Sequence, residues 1–421
     1  MKRFATFAIL IAACISATFA QADEVKIEMT LSAGDIDRVN APVVALIDVS
    51  ADSKTATVMI DGKKVQAQLA APGLGVDAKD GQKEIHFLLP ALAAGETKDV
   101  VATVSTKPWT GYQLKWVDTP GKHRELQCAG CHRKSDTDRA FVRYMYEPLD
   151  NERREETYKV FHHVFDLKGE NQLITKGAGG RYTHHRGIFY GFSRTTYDGD
   201  KKCDIWHCRG AHQAHREFLA EEAGTVFGRH TVGIDWMGEA GSETKPFADE
   251  SRQLAVYPVR YGSTPGIYVD FVSQLMPTEG PVKVDGDPQH AGFHFRAAQS
   301  VCDGDQKKTY YLRTTGKGEP GQTLNWPGNK EMADLPWNAM SPEIDGTRYT
   351  ICYLDNPNNP KEARFSERTY GRFGSYFVAE ATKEKPLVVK YRLWIQEGDM
   401  TGEQAQALSD SFLNPVKVEV K

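Results

Sequence analysis

The 421-residue chain is poor in the features that announce several protein classes. Beyond its first 22 residues it has no apolar run long enough to cross a bilayer. It has no basic excess: 52 Lys and Arg against 56 Asp and Glu give a formal net charge of −4. Loss of Lys2 and Arg3 with a leader would take that charge to −6. Nucleic acid is therefore excluded as a partner, since nothing balances its phosphates. No Gly-Lys-Ser/Thr loop cradles a nucleotide phosphate, and no serine sits in a nucleophile elbow. Cysteine is scarce, at seven, and segments with helical periodicity are few.

What is present begins with a leader. Met1-Lys2-Arg3 is basic, Phe4 to Phe19 is apolar, and Ala20-Gln21-Ala22 is a small-x-small cleavage signal. This pattern reads as a secretory signal peptide over residues 1–22, which places the mature chain in the periplasm or outside the cell. Ile11-Ala12-Ala13-Cys14 offers a second reading, a lipid anchor on Cys14. With Cys14 removed, six cysteines remain, an even number that permits disulfides in an oxidising compartment.

The mature chain reads as mostly β. Val43–Val49, Thr55–Ile60 and Val100–Val104 are short strand-like runs, and Asp61-Gly62 is a hairpin turn signal. They define a small N-terminal β-sandwich over 23–107, with a junction at Lys107–Gly111. From residue 108 to 421, β-rich runs such as Gly266–Val272 and Leu387–Ile395 recur between Gly, Pro, Asn and Asp. That pattern predicts a large antiparallel sandwich rather than βα units. Short helices are expected over His212–Glu222 and over Thr401–Phe412, the latter with Thr401 and Gln404 forming a capping box.

Chemistry concentrates in histidine. Five of the 13 histidines fall between residues 184 and 215, in Thr183-His184-His185-Arg186-Gly187, in Asp204-Ile205-Trp206-His207 and at His212 and His215. Two more, His290 and His294, stand in Gln289-His290-Ala291-Gly292-Phe293-His294-Phe295-Arg296. Imidazole is the side chain suited to proton transfer near neutral pH. On a strand, His184 and His185 would diverge, whereas His290, His294 and Arg296 would share a face and form a cleft wall. His184, His185, His207 and His290 are the catalytic candidates. Arg186, Trp206, His294, Arg296 and Arg372 are the substrate-binding candidates, with Trp206 offering an aromatic face to a sugar ring. Asp235 and Glu250 are candidate carboxylate bases. His212 and His215 would share a helix face, but the motif lacks the glutamate of His-Glu-x-x-His proteases; a metal on His184, His207 and His212 stays an open alternative, and no metal site is assigned. Cys128-Ala129-Gly130-Cys131-His132 matches the c-type haem attachment signature, with two thiols for the vinyl groups and a histidine for iron.

Gly179 to Phe192, Asp204 to His207, Asp285 to Arg296 and Glu367 to Phe377, in ordered succession over roughly 110–400, resemble the exported PmoA-like domain family of unknown function. The methane-oxygenase subunit behind that name is a multi-span membrane protein, and this chain has no such spans. The family is similar in architecture to galactose-mutarotase-like supersandwiches, so the resemblance implies a β-supersandwich and a carbohydrate or other small-molecule ligand. The resulting expectation is an exported carbohydrate-active epimerase, lyase or hydrolase using a histidine acid and a carboxylate base, with no cofactor required. A non-catalytic glycan-binding protein and a haem redox protein built on Cys128, Cys131 and His132 are the alternatives.

Overall fold

The computed structural model describes residues 24–129, 131, 138–239, 245–259, 265–287 and 289–421. Residues 1–22, where a leader is expected and where Cys14 stands, and His132 lie outside the described residues.

The N-terminal unit is one seven-stranded antiparallel sheet. Its hairpin forms where the sequence places it. Thr55–Ile60 pairs with Lys63–Ala70, and Asp61 and Gly62 both take positive φ (50° and 70°), as the tightest hairpin turn requires. Ala56, Val58 and Ile60 point inward while Thr57 and Met59 point outward, the period-two pattern of a half-buried strand. The two edge strands, Arg38–Asp48 and Lys417–Val420, approach each other, so the sheet curls around a core that includes Val58, Phe87, Val104 and Val416. Each buried apolar side chain of this kind contributes about 1.5–3 kcal/mol. Lys417–Val420 pairs with Glu24–Ser32, so the end of the chain belongs to this first sheet rather than to the sandwich before it.

The remaining strands build the larger sandwich. An eight-stranded sheet runs from Arg364–Arg368 through Arg372–Tyr376, Ala291–Arg296, Ile188–Phe192 and Phe161–Val164 to Leu114–Thr119. A ten-stranded sheet runs from Ala211–Ala223 through Gly228–Gly238 and Gly266–Pro277 to Gly316–Lys317. Their inner faces meet through aromatic contacts: Phe293 of the first sheet lies 4.4 Å from Phe271 and 4.6 Å from Tyr391 of the second, centroid to centroid. Arg229 ties this sandwich to the N-terminal sheet by bonding Glu84 (2.8 Å) and Glu222 (2.6 Å). Burial alone would raise the Glu84 pKa, but His86 and Arg229 overcome it and hold the carboxyl at about 2.

The two helix expectations part company. Gly402–Leu413 is a helix, and Thr401 and Gln404 form the capping box. His212–Glu222 instead lies within the strand Ala211–Ala223, paired along its length with Gly228–Gly238 and bulged at two places. Ladder pairing with a neighbouring strand outweighs local helix preference here. No helix among the described residues is long and apolar enough to cross a membrane.

Two neighbouring strands of the eight-stranded sheet position the site. Ile188, Tyr190 and Phe192 face the core, as do Phe293 and Phe295 opposite them. Alternation therefore turns Phe189, His294 and Arg296 to the outer face, with Arg372 beside Arg296 on the next strand. His294 and Arg296 share a face, as their spacing predicts, but His290 precedes the strand and both others are fully buried, so the three do not form an open cleft wall.

Candidate active site

The outer face is covered by loops, and the loops carry the histidines. Between Lys176 and Ile188 the chain turns through Gly179, Gly180, Tyr182 and Gly187, all with positive φ. At Gly187 a Cβ would overlap the His162 carbonyl oxygen, so only glycine lets the loop enter the strand there. The His184-His185-Arg186 run thus lies on a loop, not a strand. Strand alternation does not separate the two histidines, whose ring centroids stand 4.1 Å apart. Arg186 is fully buried and donates to the carbonyls of Thr183 (3.0 Å), Glu156 (2.9 Å) and Glu155. It fastens the loop and has no face to offer a substrate.

A second turn, Asp204–Arg209, brings in His207. Its backbone N–H donates to Asp204 Oδ1 and its Nδ1 bonds Asp204 Oδ2, both at 2.7 Å. His290, just before the strand Ala291–Arg296, uses Nδ1 in the same way toward Asp287 (2.9 Å). Burial would raise the Asp287 pKa, but the bonds from His290 and the Gln289 N–H hold it at about 2. Both carboxylates fix their imidazole's orientation and leave Nε2 to face the cleft. The four rings converge: His207 lies 4.4 Å from His184 and 4.7 Å from His290, and His184 lies 5.9 Å from His290. His184 and His207 border a depression of about 240 Å³ together with Arg154, Tyr158, Thr183 and Arg209. Three larger depressions, of 510, 520 and 690 Å³, have no histidine in their walls.

The surroundings set the charge of these groups. Burial, then the neighbouring His207 and Lys159, takes the His184 pKa down to about 2. Burial and Arg372 take His185 well below its ordinary value. Both rings are neutral at physiological pH, which removes them as proton donors and leaves them as lone-pair donors. His294 is neutral too: its Nε2–H donates to the Ala291 carbonyl (2.8 Å), and Nδ1 accepts from Arg372 (3.3 Å). Gly374 makes room for that ring, since a Cβ there would press on His294. Arg372 also reaches Ser366 Oγ (3.1 Å), and Arg296 reaches the carbonyls of Ala297 (3.1 Å) and Tyr370. Both guanidiniums are fully buried, and among the described residues no carboxylate pairs with either. Lys159 spans the back of the site, donating to the carbonyls of His184 (3.2 Å) and Trp206, and burial lowers its pKa to about 8.

Several sequence-level candidates stand elsewhere. Trp206 is 0% exposed, packed against Phe161 and Phe189, so it supports the site from beneath and cannot stack on a ligand. The accessible aromatic is Tyr182, 40% exposed and stacked on Tyr370 at 4.5 Å. His212 bonds Glu239 (2.9 Å) and His215 meets Tyr144 (3.3 Å), and three residues apart on a strand they do not share a face. Glu250 is sealed in the core with Arg252, Trp236 and Ser273, and Asp235 pairs with Arg216. Neither touches the histidines. The carboxylates that do are Asp204 and Asp287, and the sequence carries a signal for both: each stands three residues before its histidine, as Asp-x-x-His. Lys159 has no such signal. Cys128 and Cys131 are joined to each other in a disulfide, with 5.6 Å between their Cα atoms.

No curated protein matches this chain. Among solved structures, an alpha-mannosidase from Enterococcus faecalis V583 aligns with a TM-score of 0.43 and 10% identity, covering 94% of this chain and 46% of that one. This chain thus spans about half the mannosidase's length. A family model matches residues 134–410, which contain every histidine of the convergent cluster, and the chain belongs to the Family of unknown function (DUF6807).

Proposed function

We propose that the histidine cleft performs proton transfer on a carbohydrate ligand, in a protein acting in the periplasm or outside the cell, with His207 as the proton carrier. The observation that carries this reading is the Asp204–His207 dyad. The carboxylate fixes the imidazole at 2.7 Å, and the histidine side chain keeps 16% exposure at the mouth of the depression. An oriented, accessible imidazole is what general acid–base catalysis at a sugar carbon or oxygen needs. Tyr182 offers a platform for the C–H face of a pyranose. The buried, carboxylate-free Arg372 and Arg296 are too enclosed to touch a ligand, and their charge behind the rings favours electron-rich oxygen in the cleft through its field. The resemblance to galactose-mutarotase-like supersandwiches supports the same ligand class. Epimerisation, β-elimination and hydrolysis all use such a proton carrier.

The test is incubation with a broad oligosaccharide pool, scored for new reducing ends, unsaturated products and changed anomers or epimers. The wild-type chain is expected to alter at least one component, and His207→Gln to lower the rate by about 10²- to 10⁴-fold. Sugar binding without any product, unchanged in folded His207→Gln, would contradict the catalytic reading and leave a glycan-binding protein.

A further inference from the structure

We propose that His184, His185 and His290 together hold a divalent transition-metal ion. One ring nitrogen from each can be chosen so that all three lie within 4.8 Å of one another. A tetrahedral ion with nitrogens at about 2.1 Å needs them about 3.4 Å apart, so the rings must close by about 1.4 Å at most. His184 and His290 are partly exposed and can swing that far, while the buried His185 stays fixed.

Two further observations point to a ligand at this place. First, His185 is 1% exposed, and neither of its ring nitrogens has a hydrogen-bond partner; the buried His184 Nε2 has none either. A buried, unpaired polar group costs about 1–3 kcal/mol, so three on adjacent rings need an explanation. Neighbouring His294, equally buried, has both nitrogens bonded. Second, His290 Nδ1 is bonded to Asp287, so the nitrogen it offers is Nε2. A carboxylate behind a coordinating imidazole fixes the tautomer and raises the ring's basicity, the usual arrangement behind metal-bound histidine.

The donor set narrows the ion. Three neutral nitrogens and no carboxylate suit zinc, iron, cobalt, nickel or copper rather than magnesium or calcium, which prefer oxygen. Three protein ligands leave a position open, as in catalytic rather than structural sites. Neutral ligands leave the ion's charge uncompensated, and Arg372 adds to it, so the open position favours an anionic occupant: hydroxide or a sugar oxygen in its ionised form. His207 borders that position from a different turn and stays outside the ligand set, so its proton chemistry and the ion are compatible.

The inference deepens the reading of this cleft as a reaction centre, yet its test is independent of turnover. Untagged full-length protein is stripped with a chelator and titrated by calorimetry with Zn²⁺ alone and with Co²⁺ alone. One ion per chain is expected, with a visible absorption band for Co²⁺. His290→Asn should weaken binding by about 100-fold and Asp287→Asn by about 10- to 100-fold, while His212→Asn changes nothing. Both Asp287 and His290 are partly exposed, so these variants spare the core. Absence of ion binding, or affinity unchanged in both His290→Asn and Asp287→Asn, would overturn the proposal. An ion held by these residues with no sugar altered sustains it and removes the carbohydrate reading.

Discussion

Among the described residues two histidine clusters stand apart, and what separates them is access. His162 and His230 meet between the two large sheets, Nε2 to Nε2 at 2.9 Å, with Trp116 stacked on His230 at 4.5 Å and Tyr144 against both. Both are 0% exposed and borne by strands whose register is fixed by pairing. His184, His185, His207 and His290 are borne by turns on the outer face of one sheet, and two of them are oriented by carboxylates. The inner pair is a packing element in which each ring is the other's partner through Nε2, with both Nδ1 atoms buried and unpaired. The outer group leaves nitrogens unpaired next to a surface depression. Neither histidine count nor an unpaired nitrogen alone identifies a site; carboxylate orienters and an open side do.

The largest expected effect is acid lability, which buried rings on both faces of the eight-stranded sheet share. Burial first, then nearby cations, lowers His163 and His230 to about 3. The unfolded chain takes up protons near pH 6.5 while the folded chain does not, so stability is full above about 6.5 and falls as the pH drops toward 3. Two such groups imply a loss of about 5 kcal/mol between pH 6.5 and 4.5, at about 1.4 kcal/mol per group per pH unit. Urea unfolding across that range checks it; stability flat from pH 6.5 to 4.5 would mean these rings are protonated in the folded chain.

A smaller effect is expected from His230→Ala, which removes a buried ring and leaves His162 Nε2 unpaired. The expected cost is about 2–4 kcal/mol of stability, with turnover per folded molecule unchanged. Loss of turnover in the folded fraction would make the inner pair part of the reaction. Smaller still, Tyr182→Ala should weaken sugar binding by about 1 kcal/mol without altering thermal stability, read by calorimetry with the responding oligosaccharide. An unchanged affinity would take the Tyr182 platform out of the account.

The outline of this contrast is partly legible in the sequence. The Asp61-Gly62 hairpin, the helix capped by Thr401 and the shared face of His294 and Arg296 follow from turn chemistry, capping and strand period, which are local. His184 and His185 escape that logic, because positive φ at Tyr182 and Gly187 makes their segment a loop that folds back over the sheet. Trp206, Arg186 and Glu250 were eligible for the site by residue type alone, and burial assigns them to its support or to the core. The pairing of His162 with His230 spans 68 residues and two sheets, and no local pattern marks it. Asp204 and Asp287 share an Asp-x-x-His spacing, but nothing in it sets them above Asp235 and Glu250 as bases, and the convergence of their histidines required the fold.

The most direct measurement compares the two clusters in one assay: turnover of the oligosaccharide pool per folded molecule for His207→Gln and for His230→Asn, with thermal stability recorded for each. The account predicts that His207→Gln keeps its melting temperature and loses about 10²-fold or more in rate, while His230→Asn melts earlier and turns over at the wild-type rate. The opposite pattern, with His207→Gln active and His230→Asn folded but inactive, would contradict it.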